Sequence, residues 1–220
     1  MPAGSDSSAV SLDDIALPDS AAARAAAEVA AAYHSPALLN HCRRSYLWAA
    51  EYGRQHGIAF DAELLYVATM LHDIGLVPVF DSATVPFEEA GGEVAWVFAA
   101  GAGWPVARRR RAAEVIVRHM WAEVDPASDP EGHLLEVATG LDISGRNPDR
   151  WTADVRAGVL QRFPRLGLGA EFIRCFESQA QRKPASPAAT FVAGGFAERV
   201  RANVLDQGWD QGWDQGWDQG

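Results

Sequence analysis

An all-α fold is predicted for this chain by two features of its residue pattern. Apolar residues recur at helical spacing almost throughout, and the period-two alternation of β-branched residues that marks strands is nearly absent. A third observation sets the scale. With 220 residues, 48% of them hydrophobic and 22% charged, the chain is long enough to bury one sizeable core. A single helical domain is therefore expected over residues 20–205, between a flexible N-terminal segment (1–19) and a low-complexity tail (206–220).

The first helix is expected to begin near Ser20 and to run through an Ala-rich stretch to about Tyr33. Ser35-Pro36 supplies an N-cap and first-turn pair for the second, whose stripe of Leu38, Cys42, Tyr46, Ala49 and Ala50 ends at Gly57. Asp61 caps a third helix, with Leu64, Leu65, Val67, Ala68 and Leu71 facing a core and His72-Asp73 at its C-terminal end, before Gly75 and Pro78 break the chain. A loop containing Pro86-Phe87-Glu88 follows, then helices from Gly91 to Ala100 and from about Pro105 to His119. DPASDP (125–130) reads as a turn. His133 to Thr139 reads as a helix closed by Gly140, which leaves Asp142 just past its end. Asn147-Pro148 opens a helix carrying Trp151, Val155 and Val159, stopped by Pro164. The last two helices are expected at about Ala170–Arg182 and Phe191–Leu205, separated by KPASPAA. From Asp206 the chain repeats Asp-Gln-Gly-Trp, and a glycine in every repeat disfavours a helix by about 1 kcal/mol each. The tail is expected to be flexible.

Composition excludes several function classes. The formal charge of -10 offers no field for nucleic-acid phosphates or anionic lipid. Cys42 and Cys175 lie far apart with no CxxC, so a reduced, cytoplasmic protein with both thiols as core filler is expected. No basic and apolar leader and no apolar run of about 20 residues occurs, so neither secretion nor a membrane span is expected. The expected partner is a small-molecule substrate, with self-association into a homo-oligomer left open.

The residues that carry chemistry are histidines and aspartates. Imidazole nitrogens and carboxylate oxygens are the donors a hydrolytic divalent metal takes while keeping positions open for water. A lone histidine on an apolar face is more often a hydrogen-bonded core residue than a ligand. Here, however, the His72-Asp73 pair ends an apolar run, TMLHDIG, with His41 about thirty residues upstream and more histidines and an aspartate downstream. A helical hairpin can bring His41 against the pair, and Asp142 must then come from a later helix. His34 and His56 lie at helix ends and read as structural. Arg108 to Arg111 fan around a helix and read as mostly solvated surface.

The order His41, His72-Asp73, His119, His133, Asp142 resembles the HD-domain superfamily of helical metal-dependent hydrolases. HCRRSYLWA, YVATMLHDIGL, PFEEAGG, VRHM, ATGLDISGR, FPRLG and RKP are similar to its cyanamide hydratase-like branch, over roughly Tyr33 to Pro184. The resemblance implies an HD-type helical bundle with His41, His72, Asp73 and Asp142 as the core metal ligands. It implies that His119 and His133 either hold a second metal or bind substrate and move protons, and that Phe87, Glu88 and Gly91 belong to a loop over the pocket. His119, His133 and Glu88 are the catalytic candidates. The cofactor expected is one divalent transition metal, zinc ahead of iron, manganese, cobalt or nickel, with a second ion left open.

The function expected is hydration or hydrolysis of a small substrate by a metal-bound hydroxide, with a cyanamide- or nitrile-type C–N electrophile first in rank. The alternatives are an HD-type phosphohydrolase acting on a nucleotide or phosphate ester, and a non-catalytic helical binding module. Leu76, three residues after Asp73, stands where HD-GYP phosphodiesterases commonly carry a Lys, and no GYP follows. Phosphate handling is thus less favoured unless an arginine among 108–111 or Arg146 turns inward.

Overall fold

The computed structural model describes residues 15–207, which form ten α-helices and, among the described residues, no strand. The Asp-Gln-Gly-Trp tail from Gly208 onward and residues 1–14 lie outside them. Local capping chemistry starts the first three helices. In α1 (Ala21–Tyr33) the Ser20 Oγ accepts from Ala23 N, in α2 (Pro36–His56) the Ser35 Oγ accepts from Leu38 N, and in α3 (Ala62–Leu71) an Asp61 oxygen accepts from Leu64 N. Each satisfies one of the amides a helix start leaves open. Gly57 closes α2 at φ 64°, a left-handed conformation that favours glycine.

The remaining helices are α4 (Phe87–Gly101), α5 (Val106–Arg118), α6 (Pro130–Ser144), α7 (Ala153–Arg162), α8 (Leu168–Arg182), α9 (Pro187–Ala193) and α10 (Phe196–Arg201). The long α2 packs against α3 and α6, α1 lies on α3, and α4 pairs with α5. Ala22, Ala26 and Ala30 of α1 are buried in the main core, since small side chains let two helices approach closely. A second apolar cluster gathers Leu38, Phe87, Met120 and Ile143 with Phe172, Phe176 and Phe196. Several of its members wall the cavity described below.

Four boundaries differ from the sequence expectation, each for a physical reason. The Pro86-Phe87-Glu88 segment is the first turn of α4 and not a loop, because Pro86 presets φ at -51° and Glu88 and Glu89 favour a helix start. Helix α6 does not stop at Gly140. It runs from the Asp129 cap to Ser144 and closes at Gly145, φ 66°, so Asp142 lies within it. Trp151 precedes its helix, after a single 3₁₀ turn (Pro148–Arg150), because Thr152 supplies the cap of α7. The last expected helix is split by Gly194-Gly195, and its first part starts earlier, at Pro187 behind the Ser186 cap.

Arg108 and Arg111 are ties between elements. Arg108 pairs with Asp61 and Glu63, and Arg111 with Asp129 and Glu131. Both sets fix the N-terminal caps of α3 and α6 to α5. No helix among the described residues is long and apolar enough to cross a membrane.

Between α3 and α4 the backbone approaches itself. After Asp73 a 3₁₀ turn (Ile74–Leu76) lies directly beneath the start of α4, and a Cβ on Gly75 would run into the Phe87 carbonyl oxygen. Gly91, one turn along α4, has the His72 carbonyl 3.2 Å from where its Cβ would stand. Gly75→Ala must therefore push α4 off the turn that carries His72 and Asp73. It should destabilise the protein by about 3 kcal/mol, at the upper end of overpacking costs, measured as a drop in Tm and in the denaturant midpoint.

Candidate metal centre

His41 projects from the second turn of α2, His72 is the C-cap residue of α3, and Asp73 begins the 3₁₀ turn. Three of their atoms converge. His41 Nε2 is 3.0 Å from His72 Nε2, and Asp73 Oδ2 is 3.2 Å from the former and 3.1 Å from the latter. All three residues are fully buried. Donor atoms bound at about 2.1 Å to one ion stand about 3.0 to 3.4 Å apart, depending on geometry. The cluster has that size.

The opposite edges of the rings fix which nitrogens carry lone pairs. His72 Nδ1 lies 2.7 Å from the Thr69 carbonyl oxygen, which can only accept, so the proton sits on Nδ1 and Nε2 is bare. His41 Nδ1 lies 2.7 Å from Asp142 Oδ2, and an ionised carboxylate also only accepts. Both Nε2 atoms and the Asp73 oxygen thus turn lone pairs toward one point, and neither Asp73 oxygen has a well-formed hydrogen bond. A cation satisfies all three, so the residues fit a divalent metal. The electrostatics agree. Burial disfavours charge on His41, but its contacts with Asp142 and Asp73 prevail and raise its pKa. Burial opposes ionisation of Asp73, yet His72 and His41 hold it well below the usual carboxylate range. The pocket therefore favours positive charge.

Asp142, expected as a fourth ligand, is not brought to this point. It stands on the far side of the His41 ring with both oxygens already engaged. Arg44 grips it with two parallel bonds, Nε to Oδ1 and Nη2 to Oδ2, both 2.8 Å, and Trp48 Nε1 donates to Oδ1 at 2.8 Å. With the His41 bond, this leaves no lone pair aimed at the cluster. Burial works against the charge of Asp142, but Arg44 first and then His41 keep its pKa well below the ordinary range. Asp142 Oδ2 thus faces His41 Nδ1 at 2.7 Å, on the side of the ring away from the cluster. Arg44 and Trp48 were missed by the sequence analysis although a signal existed. His41, Arg44, Ser45 and Trp48 share one face of α2, and a charged residue on a face meant for burial asks for a partner.

Of the catalytic candidates, only His119 reaches the cluster. At the C-cap of α5, it donates from Nδ1 to the Ile116 carbonyl and leaves Nε2 3.9 Å from Asp73 Oδ1. Burial, reinforced by His72, lowers its pKa to about 4, so it is a neutral imidazole near pH 7. His133 is not brought in. Its Nδ1 bonds Val124 O at 2.8 Å and its ring lies near Tyr52, one end of α6 away from the site. Glu88 is buried in the first turn of α4, does not wall the cavity, and keeps Oε2 without a partner. Above the cluster lies a cavity of about 80 Å³, with His41, His72, Asp73 and His119 at its base. Phe172, Phe176, Phe191 and Phe196 form one wall, and α6 presents the other with Glu136, Thr139, Gly140 and Ile143.

Comparison with known proteins places this geometry in context. The HD domain model matches residues 38–120, a stretch that contains His41, His72, Asp73 and His119. Two proteins of Saccharomyces cerevisiae, cyanamide hydratase DDI2 and cyanamide hydratase DDI3, are each 32% identical over 173 residues, which covers 76% of this chain and 76% of the relative.

The two aspartates should behave differently. Asp73→Asn removes an anionic donor from the ion itself, and metal content by elemental analysis should fall to roughly a tenth or less. Asp142→Asn strands the buried Arg44 charge, which costs about 3–5 kcal/mol of stability. It should also weaken metal affinity only about 10- to 100-fold, as loss of an orienting partner does. Equal metal loss in both variants would instead make Asp142 a ligand.

Glu88 predicts a pH effect. Burial raises its pKa from 4.5 to about 7, with Glu89 and Asp73 adding to the rise. Between those values the folded state holds a proton that the unfolded chain releases, so its contribution favours folding below about pH 4.5 and is lost as pH rises to about 7. In metal-free protein, Glu88→Gln should remove that loss. Thermal unfolding at pH 8 should show a gain on the order of 2 kcal/mol over wild type, and at pH 4.5 almost none.

Proposed function

We propose, for a chain that belongs to the cyanamide hydratase-like branch of the HD-domain family, that it adds water across the C–N multiple bond of a compact, neutral, cyanamide- or nitrile-type substrate. The observation that carries this reading is a three-donor cation site at the base of a cavity of about 80 Å³. Such a volume holds on the order of five waters, which suits a molecule of a few heavy atoms. A divalent ion held by His41, His72 and Asp73, zinc first among the transition metals that take this donor set, lowers the pKa of a bound water and polarises an electrophile beside it.

The chain's own residues supply the rest. Asp142 and Thr69 hold the two imidazoles with Nε2 facing the site. His119, neutral near pH 7, presents Nε2 to accept a proton from the attacking water and pass it to the substrate nitrogen. In net terms oxygen joins carbon and two hydrogens reach nitrogen, so cyanamide would give urea and a nitrile its amide. Phe172, whose ring lies 5.4 Å from His41, and Phe176 beside it keep bulk water from the base of the cavity.

One observation favours the phosphohydrolase reading, namely that Arg146 and Arg199 reach the cavity wall. Against it, Arg146 is paired with Glu136 and so brings little net charge. The deciding experiment measures kcat/KM of the metal-loaded enzyme on cyanamide, simple nitriles, cyclic imides and a panel of nucleotides. Cyanamide or a nitrile should lead, and His119→Ala should keep its metal while kcat falls about 10²- to 10⁴-fold. A preference for any phosphorylated compound overturns the proposal.

A further inference from the structure

The C-terminal end of α6 is built to hold an arginine in the cavity. Gly145, at φ 66°, reverses the chain so that its own N–H bonds Leu141 O and the Arg146 N–H bonds Gly140 O. This places Arg146 over the last turns of α6, and its side chain runs back along the helix toward Glu136. The path exists only because residue 140 has no side chain. A Cβ on Gly140 would coincide with the guanidinium, lying within 2.6 Å of both Nε and Cζ. Two glycines five residues apart thus serve one arginine, the first making its space and the second its turn.

The donors of Arg146 are unequally used. Nη2 reaches both the Glu136 carbonyl oxygen, at 3.1 Å, and the Glu136 carboxylate. Among the described residues, Nε and Nη1 have no hydrogen-bond partner, and the side chain is 41% exposed against 6% for Glu136. Because Nη2 belongs to both two-pronged edges of a guanidinium, neither edge is left whole for a phosphate or a bidentate carboxylate. Three N–H bonds still remain for single acceptors. Glu136 balances the charge, so the position suits a neutral acceptor better than an anion. Arg199, on the opposite rim, is exposed and bonded to the Gly194 carbonyl, while the base of the same cavity holds the cation site.

We propose that Arg146, seated over Gly140 and clamped by Glu136, is the substrate-orienting residue, donating to a carbonyl-type oxygen at the end of the substrate remote from the cation site. This rests on the hydration reading and narrows its substrate class to small C–N electrophiles that also carry a neutral acceptor, with cyanamide itself lacking that second handle. It makes Arg146 a residue of specificity and places no proton transfer on it.

Three probes separate the terms: cyanoacetamide, with a nitrile and a neutral carbonyl; cyanoacetate, its anionic counterpart; and butyronitrile, with neither. The wild-type enzyme should favour cyanoacetamide over butyronitrile in kcat/KM by roughly 10- to 100-fold, the worth of one hydrogen bond from a charged donor. Arg146→Ala should collapse that ratio toward one, mainly through KM. Gly140→Ala, which keeps the arginine but fills its seat and improves the helix, should collapse it as well while Tm holds or rises. An equal fall for both substrates in Arg146→Ala, or an unchanged ratio in Gly140→Ala, overturns the assignment, and a wild-type preference for cyanoacetate overturns its neutral-acceptor part. If the wild type turns over none of the three, the hydration reading fails and binding decides the subsite. Cyanoacetamide should then bind more weakly to Arg146→Ala than to wild type in an NMR titration, and equal Kd values would refute the role of Arg146.

Discussion

The structure hangs on the buried carboxylate of Asp142. Within α6 it accepts from Arg44, Trp48 and His41 of α2, and its backbone carbonyl accepts from Arg165 Nη1, at 2.6 Å, and Asn203 Nδ2, at 3.0 Å. One residue therefore ties together the longest helix, the helix packed along it, the turn before α8 and the segment after α10. Arg44 spends its remaining Nη1 on the Phe163 and Pro164 carbonyls, which end α7. A full set of partners is what makes a buried ion pair tolerable, because the desolvation of both charges must be offset by bonds on every side. The same completeness makes the position of His41 rigid.

That rigidity transmits to the metal centre through a single ring. With Nδ1 committed to Asp142, the His41 imidazole has no freedom to turn its proton toward His72, and the repulsion among the three facing donors is left for a cation to remove. The Thr69 carbonyl does the same for His72 from within α3, because the helix end leaves that oxygen without an amide partner. The two tautomers thus have different origins. One comes from a helix terminus and is local, whereas the other comes from a contact 101 residues away in sequence.

This difference explains what could be read from the sequence. Ser35 and Asp61 were legible as caps because a cap is a bond within four residues, and His72-Asp73 was legible because it ends an apolar run. Gly140 misled, since glycine signals a helix end locally, whereas here the side chain it lacks is replaced by a guanidinium arriving from Arg146. His133 misled for a reason of length. It lies six residues before Thr139, about 9 Å along the same helix, so a shared helix did not imply a shared site. Arg44 was overlooked because a charge within an apolar stripe has no local meaning until Asp142 is placed against it.

The glycines and the buried charges divide the site between them. Gly75 and Gly91 let the backbones of the 3₁₀ turn and α4 touch, which closes the space behind His72 and Asp73. Gly140 opens space at the other end, where α6 faces the cavity. The charged groups follow the same division, with Asp73 and the two histidines fully enclosed and Arg146 with Glu136 reaching partly into solvent. A low-dielectric base strengthens every interaction with a reacting group, whereas a hydrated rim permits exchange of ligands without stripping a charge of water. The candidate metal centre is consequently held by buried groups, among which a change at Asp73 costs metal affinity and a change at Asp142 costs stability as well. The recognition of what enters rests on a helix end where Arg146 and Gly140 can change with little effect on the core.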